Sequence, residues 1–328
     1  MIQRCIEPHI LLRSDASVVR WLSEVNWVIN LKSIRKKIRN CLTILCVGCL
    51  VVFGFSAGFS GCMSFRTEPE VLKTEFLEEG LVAPKFDIVT SDDDWSIHMA
   101  TVEGEFDWTV VFVHGSPGSL DAFISFLKND ELRSRVRLVS VDRPGFGLSD
   151  PGEAVPSIEE QAFRIRHALV QKGIEGNVIL VGHSLGGAVV ARIAVDYPEL
   201  ARGLILVAPS VDPDLVGRRW YNYLAKFPLV YWGLSRDWKN SNDEIYPLRE
   251  QMELLKNRLD TLSESVIVIQ GMKDRLVHPE NADFIERELR GAERLDVWRI
   301  EDMNHFVPWT HPELIERAIY QLLEEVER

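Results

Sequence analysis

A serine at position 184 lies in a pattern that could make it a nucleophile. The apolar run at 178–181 is followed by the motif GHSLGG at 182–187 and then by a stretch of helical character. This order predicts a strand, a sharp turn and a helix, with Ser184 at the apex of the turn, its backbone strained and its hydroxyl above the sheet edge. A serine hydroxyl is a poor nucleophile at neutral pH, so it needs a nearby base and a third group that orients the base.

The motif GHSLGG resembles the nucleophile elbow of the α/β-hydrolase fold family. Three further stretches are similar to loops of that family: HGSPG at 114–118 to the oxyanion loop, DRPGFGLS at 142–149 to the next strand-end loop, and GMKD at 271–274 with Asn304 and His305 to the acid and base loops. The resemblance covers about residues 84–328. It implies an enzyme in which a serine, an acid and a histidine act together.

His305 is the predicted general base. In the family the nucleophile, the acid and the histidine follow one another along the chain. His305 comes just after the last predicted strand, where a loop would bring its imidazole over the sheet edge to Ser184. His278 and His311 are the competitors, and each precedes a proline. The other histidines lie in an upstream segment, a strand, a helix or turn motifs: His9, His98, His167, His114 and His183.

Asp274 is the predicted acid of the triad. It follows the apolar run at 266–271, so it lies at the carboxyl end of a strand, where catalytic groups collect in open α/β sheets. A carboxylate there would fix the tautomer of the imidazole and stabilise the imidazolium. Asp302, three residues before His305, is the rival acid. In the plainer interpretation Asp274 is a solvated loop residue.

An oxyanion that forms during attack needs hydrogen-bond donors that are already in place. The backbone N–H of Leu185, at the start of the helix after the elbow, is one predicted donor. The backbone N–H of Ser116, in the HGSPG loop, is the other. In the plainer interpretation Pro117 and Gly118 only shape a turn.

Eight apolar segments predict strands, and the helical patterns between them predict a mostly parallel sheet covered on both faces. The segments are 85–91, 95–100, 108–113, 136–141, 178–181, 204–207, 266–269 and 295–300. Ser157 and Glu160 form a capping box at the start of one helix, and Gly173 is expected to end it. With the resemblance, the predicted fold class is α/β, an α/β-hydrolase fold with a mostly parallel eight-stranded sheet flanked by helices and a small lid insertion.

The lid is predicted at about residues 211–262, between the sixth and seventh strands, where the family inserts one. This stretch is rich in aromatic residues, and Trp220, Tyr223 and Trp232 are the predicted pocket residues. Two interpretations stay open. The aromatic side chains can attach the lid helices to the body, or they can form an apolar wall for a substrate, and both can hold.

The first 65 residues combine a basic segment with an apolar one. Residues 32–39 are basic and residues 41–65 are uncharged, and a helix of that length, about 37 Å, could cross a hydrocarbon core of about 30 Å. In one interpretation the apolar segment is a retained anchor helix. In a second it is a signal peptide that ends at FSGC, 59–62, which resembles a bacterial lipoprotein cleavage box with lipidation at Cys62. In a third it is a soluble segment. The first two interpretations export the body, residues 84–328, behind a polar linker at 66–83.

Composition excludes several classes of function. The chain has a formal net charge of -12, and an acidic body argues against nucleic acid as a partner. All five cysteines lie within the first 62 residues, so the body can have neither a disulfide framework nor a cysteine nucleophile. Its histidines lack the HxH and HExxH spacings, so no metal site and no cofactor are expected.

The predicted function is a membrane-anchored, exported serine hydrolase of carboxylesterase or lipase type. It would cleave an ester or related acyl bond of a small, apolar substrate through an acyl-enzyme. Peptidase, thioesterase, C–C hydrolase and acyltransferase reactions stay open, because the same apparatus serves all of them. A hypothesis of another class is a non-catalytic envelope protein that uses the lid to bind a partner.

Overall fold

Eight strands form one sheet in the computed structural model, which describes residues 65–150 and 153–326. The strands are β1 Lys85–Thr90, β2 Ser96–Val102, β3 Thr109–Val113, β4 Arg137–Val141, β5 Val178–His183, β6 Ala201–Val207, β7 Ser265–Gly271 and β8 Leu295–Ile300. Their order is β1-β2-β4-β3-β5-β6-β7-β8. Only the pairings of β2 with β1 and with β4 are antiparallel among these described strands. The predicted mostly parallel eight-stranded sheet is therefore confirmed.

Helices flank this sheet, and their bounds in chain order are α1 Pro69–Glu78, α2 Ile124–Lys128, α3 Asp130–Arg135, α4 Ile158–Gln171, α5 Leu185–Asp196, α6 Trp220–Ala225, α7 Pro228–Gly233, α8 Arg236–Ile245, α9 Leu248–Lys256, α10 Asn281–Glu288, α11 Val307–Thr310 and α12 Pro312–Val326. The N-terminal and C-terminal caps predicted for α4 are confirmed, but the carboxylate of Glu160 pairs with Arg164 and does not complete the predicted capping box. The Ser157 side chain accepts from the N–H of Glu160, and Gly173 has a φ of 66°, a conformation that glycine adopts without steric cost.

Two apolar cores lie on opposite faces of the sheet, because side chains alternate along each strand. In β3, Val111 and Val113 pack in the core that includes residues of α4 and α5. Val110 and Phe112 pack in the other core, with α12 and α2. The central strands are buried on both faces, so their sequences are continuous apolar runs.

The segment predicted as a polar linker, 66–83, is not a linker over most of its length. Residues Pro69–Glu78 form α1, with a proline in the first turn. Leu72 and Phe76 are buried in the same core as α12, and their spacing of four residues places both on one face of the helix. These two apolar residues lie on one side of the helix, and that side packs against the core.

The predicted lid, residues 211–262, contains the four helices α6 to α9. It joins the carboxyl end of β6 to β7, and so it lies on the side of the sheet where β5 delivers the serine elbow. The predicted anchor or signal segment lies outside the described residues, apart from its last residue, Phe65. Within the described part of the chain, no helix has both the length and the apolar composition needed to cross a bilayer.

Candidate active site

Ser184 stands at the sharp turn between β5 and α5, as the sequence predicts. Its φ of 55° and ψ of -120° lie in a region that costs a residue with a side chain about 1–3 kcal/mol. Backbone hydrogen bonds hold it there. The N–H of Ser184 donates to the carbonyl of Val207, and its carbonyl accepts from the N–H groups of Gly187 and Ser210. The hydroxyl is thereby presented at the carboxyl edge of the sheet.

Two glycines permit this turn because backbone passes very close to them. A Cβ placed on Gly186 would lie 2.3 Å from the carbonyl oxygen of Val113, in the neighbouring strand. A Cβ on Gly182 would lie 2.4 Å from the carbonyl oxygen of Gly186. Neither position has room for a side chain, so the GxSxG spacing is a steric requirement.

His305 and Asp274 are in direct contact. The imidazole Nδ1 of His305 lies 2.7 Å from Oδ2 of Asp274, and both residues are buried. The other carboxylate oxygen, Oδ1, accepts from the backbone N–H groups of Leu276 and Val277, each at 2.8 Å. The carboxylate is therefore fixed at one oxygen by backbone and faces the imidazole with the other. This leaves Nε2 of His305 as the ring nitrogen available for a reacting group.

The competing residues have other contacts. Asp302 is exposed and pairs with Lys273, and this salt bridge holds the pKa of its carboxyl below its usual range. His278 is exposed and faces Glu280 at 3.9 Å. His311 contacts Thr310. The structure thus brings Asp274, and not Asp302, against His305.

His183, within the elbow motif, supports the loop that carries His305. Its Nε2 donates to the backbone carbonyl of His305 at 2.9 Å, and the two rings are 4.7 Å apart. Burial, and after it the neighbouring His305, lower the pKa of His183 to about 3. His183 is therefore a neutral donor, because a proton added to it would be neither solvated nor paired.

Ser116 and Leu185, the predicted oxyanion donors, line the same cavity as Ser184 and His305. Leu185 is the first residue of α5, and the first N–H groups of a helix have no partner within the helix. Ser116 precedes a cis proline in the loop after β3. The structure brings the two predicted donors and the predicted triad to one place.

A buried polar cluster that the sequence did not reveal lies beneath this loop. Arg143 is fully buried and donates to Glu244 at 2.8 Å and to the carbonyl of Gly115 at 3.0 Å. Glu244, on lid helix α8, also accepts from the Ser116 hydroxyl at 2.7 Å and from Gln161 at 2.8 Å. We call these five residues the Glu244 network. The sequence offered no signal for Glu244, since it is one of several acids in the lid.

The Glu244 network is expected to be essential for stability. Glu244→Gln removes the charge that compensates Arg143 in the interior, and breaking a buried ion pair from one side costs about 3–5 kcal/mol. The free energy of unfolding, measured by urea denaturation, should fall by that amount. The control, Glu250→Gln on the exposed side of α9, should leave it unchanged. A double change, Glu244→Leu with Arg143→Met, should recover much of the loss, and equal stability of Glu244→Gln and wild type would contradict the assignment.

The cavity beside Ser184 has a volume of about 740 Å³ and a mostly apolar lining. Trp220 lines it, as predicted, and so do Leu224, Val230 and Trp238. Ser116, Ser184 and His305 are among the polar residues of its lining. A cavity of this size and lining suits a small apolar molecule with one reactive polar group.

Two of the predicted pocket residues do not line this cavity. Tyr223 on α6 is 53% exposed, and its ring meets that of Tyr246. Trp232 is 72% exposed on α7. Both residues were predicted in the pocket because the lid is rich in aromatic residues. The direction of each side chain depends on the rotation of its helix about its axis, and the sequence of so short a helix does not define that rotation.

Within the described residues, no group of three or more acidic, histidine or cysteine side chains converges to form a possible metal site. A hydroxyl, an imidazole and a carboxylate near backbone N–H groups can transfer an acyl group.

Residues 110–318 match the model of the alpha/beta hydrolase family. A 2-hydroxy-6-oxononadienedioate/2-hydroxy-6-oxononatrienedioate hydrolase of Pseudomonas putida is 23% identical over 80% of this chain and 99% of its own length. Lipase 1 of Psychrobacter immobilis is 27% identical over 76% of this chain and 89% of its own. Among solved structures, a membrane phospholipase A has a TM-score of 0.58 at 18% identity, with 90% of this chain and 99% of that chain covered.

Other similarity is more local. Two curated relatives, 38% and 36% identical, are matched over only 28% and 30% of their own lengths. This chain spans less than a third of those proteins.

Proposed function

This chain belongs to the alpha/beta hydrolase family, and from that premise we propose that it is a serine hydrolase that cleaves an ester or related acyl bond of a small apolar substrate. One observation carries the proposal. His305, which is hydrogen-bonded to Asp274, lines the same cavity as Ser184 on its strained turn. Relatives that include a lipase and a 2-hydroxy-6-oxononadienedioate/2-hydroxy-6-oxononatrienedioate hydrolase support hydrolase activity.

In the proposed mechanism, Oγ of Ser184 attacks the acyl carbon while Nε2 of His305 takes the hydroxyl proton. Asp274 holds the proton on Nδ1 and stabilises the imidazolium. The negative oxygen of the tetrahedral intermediate accepts from the backbone N–H groups of Leu185 and Ser116. When the intermediate collapses, the bond to the leaving alcohol breaks, and His305 gives that alcohol its proton.

The acyl-enzyme is then hydrolysed by the same groups. Water attacks the ester on Ser184 while His305 removes one of its protons, and the acid leaves as Oγ regains a proton from the imidazolium. No cofactor enters either half of the cycle. The largely apolar cavity wall would bind the acyl chain, with the reactive carbonyl beside Ser184 and His305.

A second candidate is hydrolysis of a hydroxy-oxo dioate of the kind in the name of the Pseudomonas putida relative, which this chain matches over 99% of that protein's length. The same three side chains serve that reaction class. An ester substrate fits better, because the cavity wall around Ser184 is mostly apolar. The arginine in that wall, Arg219, already donates to the backbone carbonyls of Arg275 and Leu276.

The proposed location is the cell envelope, with an exported body tethered by the N-terminal segment. The basic stretch 32–39 before the uncharged stretch 41–65 supports this proposal, as does the possible lipid attachment at Cys62.

A fluorophosphonate probe tests the proposed nucleophile. The probe reacts with an activated serine, so it should label the wild-type chain at Ser184 and leave Ser184→Ala unlabelled, as read by mass spectrometry of the peptides. Ser210→Ala is the matched control, since Ser210 lines the same cavity, and it should still be labelled. Equal labelling of Ser184→Ala would refute the assignment, and an unlabelled wild type would favour a non-catalytic binding protein.

A further inference from the structure

The outer surface of the lid exposes large apolar side chains. Leu229 and Trp232 on α7 are each 72% exposed, and Trp220 on α6 is 73% exposed. Phe227, between these two helices, is also exposed, and α7 has no buried residue. We call Trp220, Phe227, Leu229, Val230 and Trp232 the lid patch. Contiguous apolar surface of this kind marks a place where a protein meets another apolar phase.

Basic residues surround the lid patch although the body is acidic. The stretch 218–239 contains five basic residues, Arg218, Arg219, Lys226, Arg236 and Lys239, and one acidic residue. That acid, Asp237, is buried. One cation, Lys226, also pairs with Asp243 outside the stretch. The local excess of positive charge, next to tryptophan and tyrosine, suits the headgroup region of an anionic bilayer.

The lid patch continues into the cavity. Trp220 and Val230 belong to the patch and also line the cavity that holds Ser184. An acyl chain could therefore pass from the surface beneath the patch into the cavity along continuous apolar surface, without crossing water.

The chain also enters the described body beside the lid. The ring of Phe65 lies 5.9 Å from that of Trp238, and its backbone N–H faces Asp237 at 3.5 Å. Both residues belong to α8. Cys62, the predicted lipid attachment site, is only three residues earlier, a span of at most about 10 Å. A tether at that point would hold the lid side of the body toward the membrane.

We infer that the lid patch docks into the surface of a phospholipid bilayer that contains anionic lipid, and that the substrate is an acyl ester of a lipid drawn from that bilayer. The inference rests on the proposed hydrolase function and names its substrate class. Interfacial binding increases with buried apolar area and with attraction to anionic headgroups, and the lid patch and its basic surround supply both.

The kinetic test uses the full chain reconstituted in vesicles of phosphatidylcholine and phosphatidylglycerol. Leu229→Glu with Trp232→Glu changes the patch without touching the cavity lining. On phospholipid in the vesicles, kcat/KM should fall about tenfold or more, since two apolar side chains can no longer be buried. On a dissolved short-chain nitrophenyl ester it should change by less than about twofold. Val82→Glu, an equally exposed position beside Arg133 at the opposite sheet edge, is the matched control for both substrates.

A binding test separates docking from catalysis. Brominated phospholipids quench tryptophans that enter the bilayer, so Trp220→Phe with Trp232→Phe should remove part of the quenching seen in wild type, whereas Trp298→Phe on β8 should not. Equal quenching in all three, or equal kinetic losses on both esters, would overturn the inference. If quenching were equal in all three, the lid patch would instead be a binding site for a protein partner. If no ester is hydrolysed, the proposed function fails, and the quenching still decides docking.

Discussion

Replacing Ser184 with alanine is expected to lower kcat by about 10⁶, and adding His305→Ala is expected to cost almost nothing more. The two side chains act as one unit, because the imidazole is useful only if there is a hydroxyl proton to receive. The residual rate should come from the backbone donors and the cavity. Steady-state kinetics on a chromogenic ester, with active-site titration of the wild type, measures all three variants.

The Ser184→Ala chain should keep the wild-type fold. Alanine, like serine, carries a Cβ at the turn, and the hydrogen bonds that hold residue 184 come from its backbone. The midpoint of thermal unfolding of Ser184→Ala should therefore match wild type. If the single losses instead multiplied in the double variant, Ser184 and His305 would be acting independently, and the acyl-enzyme mechanism would be untenable.

Asp274→Asn is expected to lower kcat by about 10⁴. The backbone N–H groups of Leu276 and Val277 donate to Oδ1, so the asparagine oxygen must take that position. Its NH₂ group then faces Nδ1 of His305, which favours the tautomer with its proton on Nε2. In that tautomer Nε2 cannot accept the proton of Ser184. The loss arises from geometry that the structure fixes, because the amide cannot flip without breaking two hydrogen bonds.

The matched control for this prediction is Asp302→Asn. Asp302 is a neighbour of His305 in sequence but pairs with Lys273 on the surface, and exposed pairs of this kind contribute little to stability. Its kcat should stay within about twofold of wild type. A large loss in Asp302→Asn together with a small one in Asp274→Asn would exchange the roles of the two acids.

The sheet and the elbow could be predicted because their signals are local. Apolar β-branched runs such as 178–181 can only be strands buried on both faces, and the glycines of GxSxG report a close approach that the structure shows at Gly186. The contact between Asp274 and His305 was predictable from chain order, since both follow strands that end at one edge of a parallel sheet.

The lid and the segment before β1 were predicted less well, for physical reasons. Short helices such as α6 leave side-chain direction to tertiary packing, so Tyr223 and Trp232 were placed in a pocket that they do not line. Glu244 reaches Ser116 and Arg143 across more than 100 residues of chain, and nothing in its own neighbourhood indicates those partners. The helix α1 was missed because two apolar residues, Leu72 and Phe76, are a weak pattern.

The hydrogen bond from Ser116 to Glu244 limits how this enzyme could be re-engineered. A chimera that received the lid of another protein in place of residues 211–262 would lose the carboxylate of Glu244 on α8. Arg143 would then be a buried charge without a carboxylate partner, beneath the loop that must stay rigid during turnover. A successful transplant would have to bring an acid to that spot or neutralise Arg143 at the same time. The lid therefore carries both the cavity lining that sets specificity and the carboxylate that supports the catalytic loop, so the two cannot be exchanged separately in this chain.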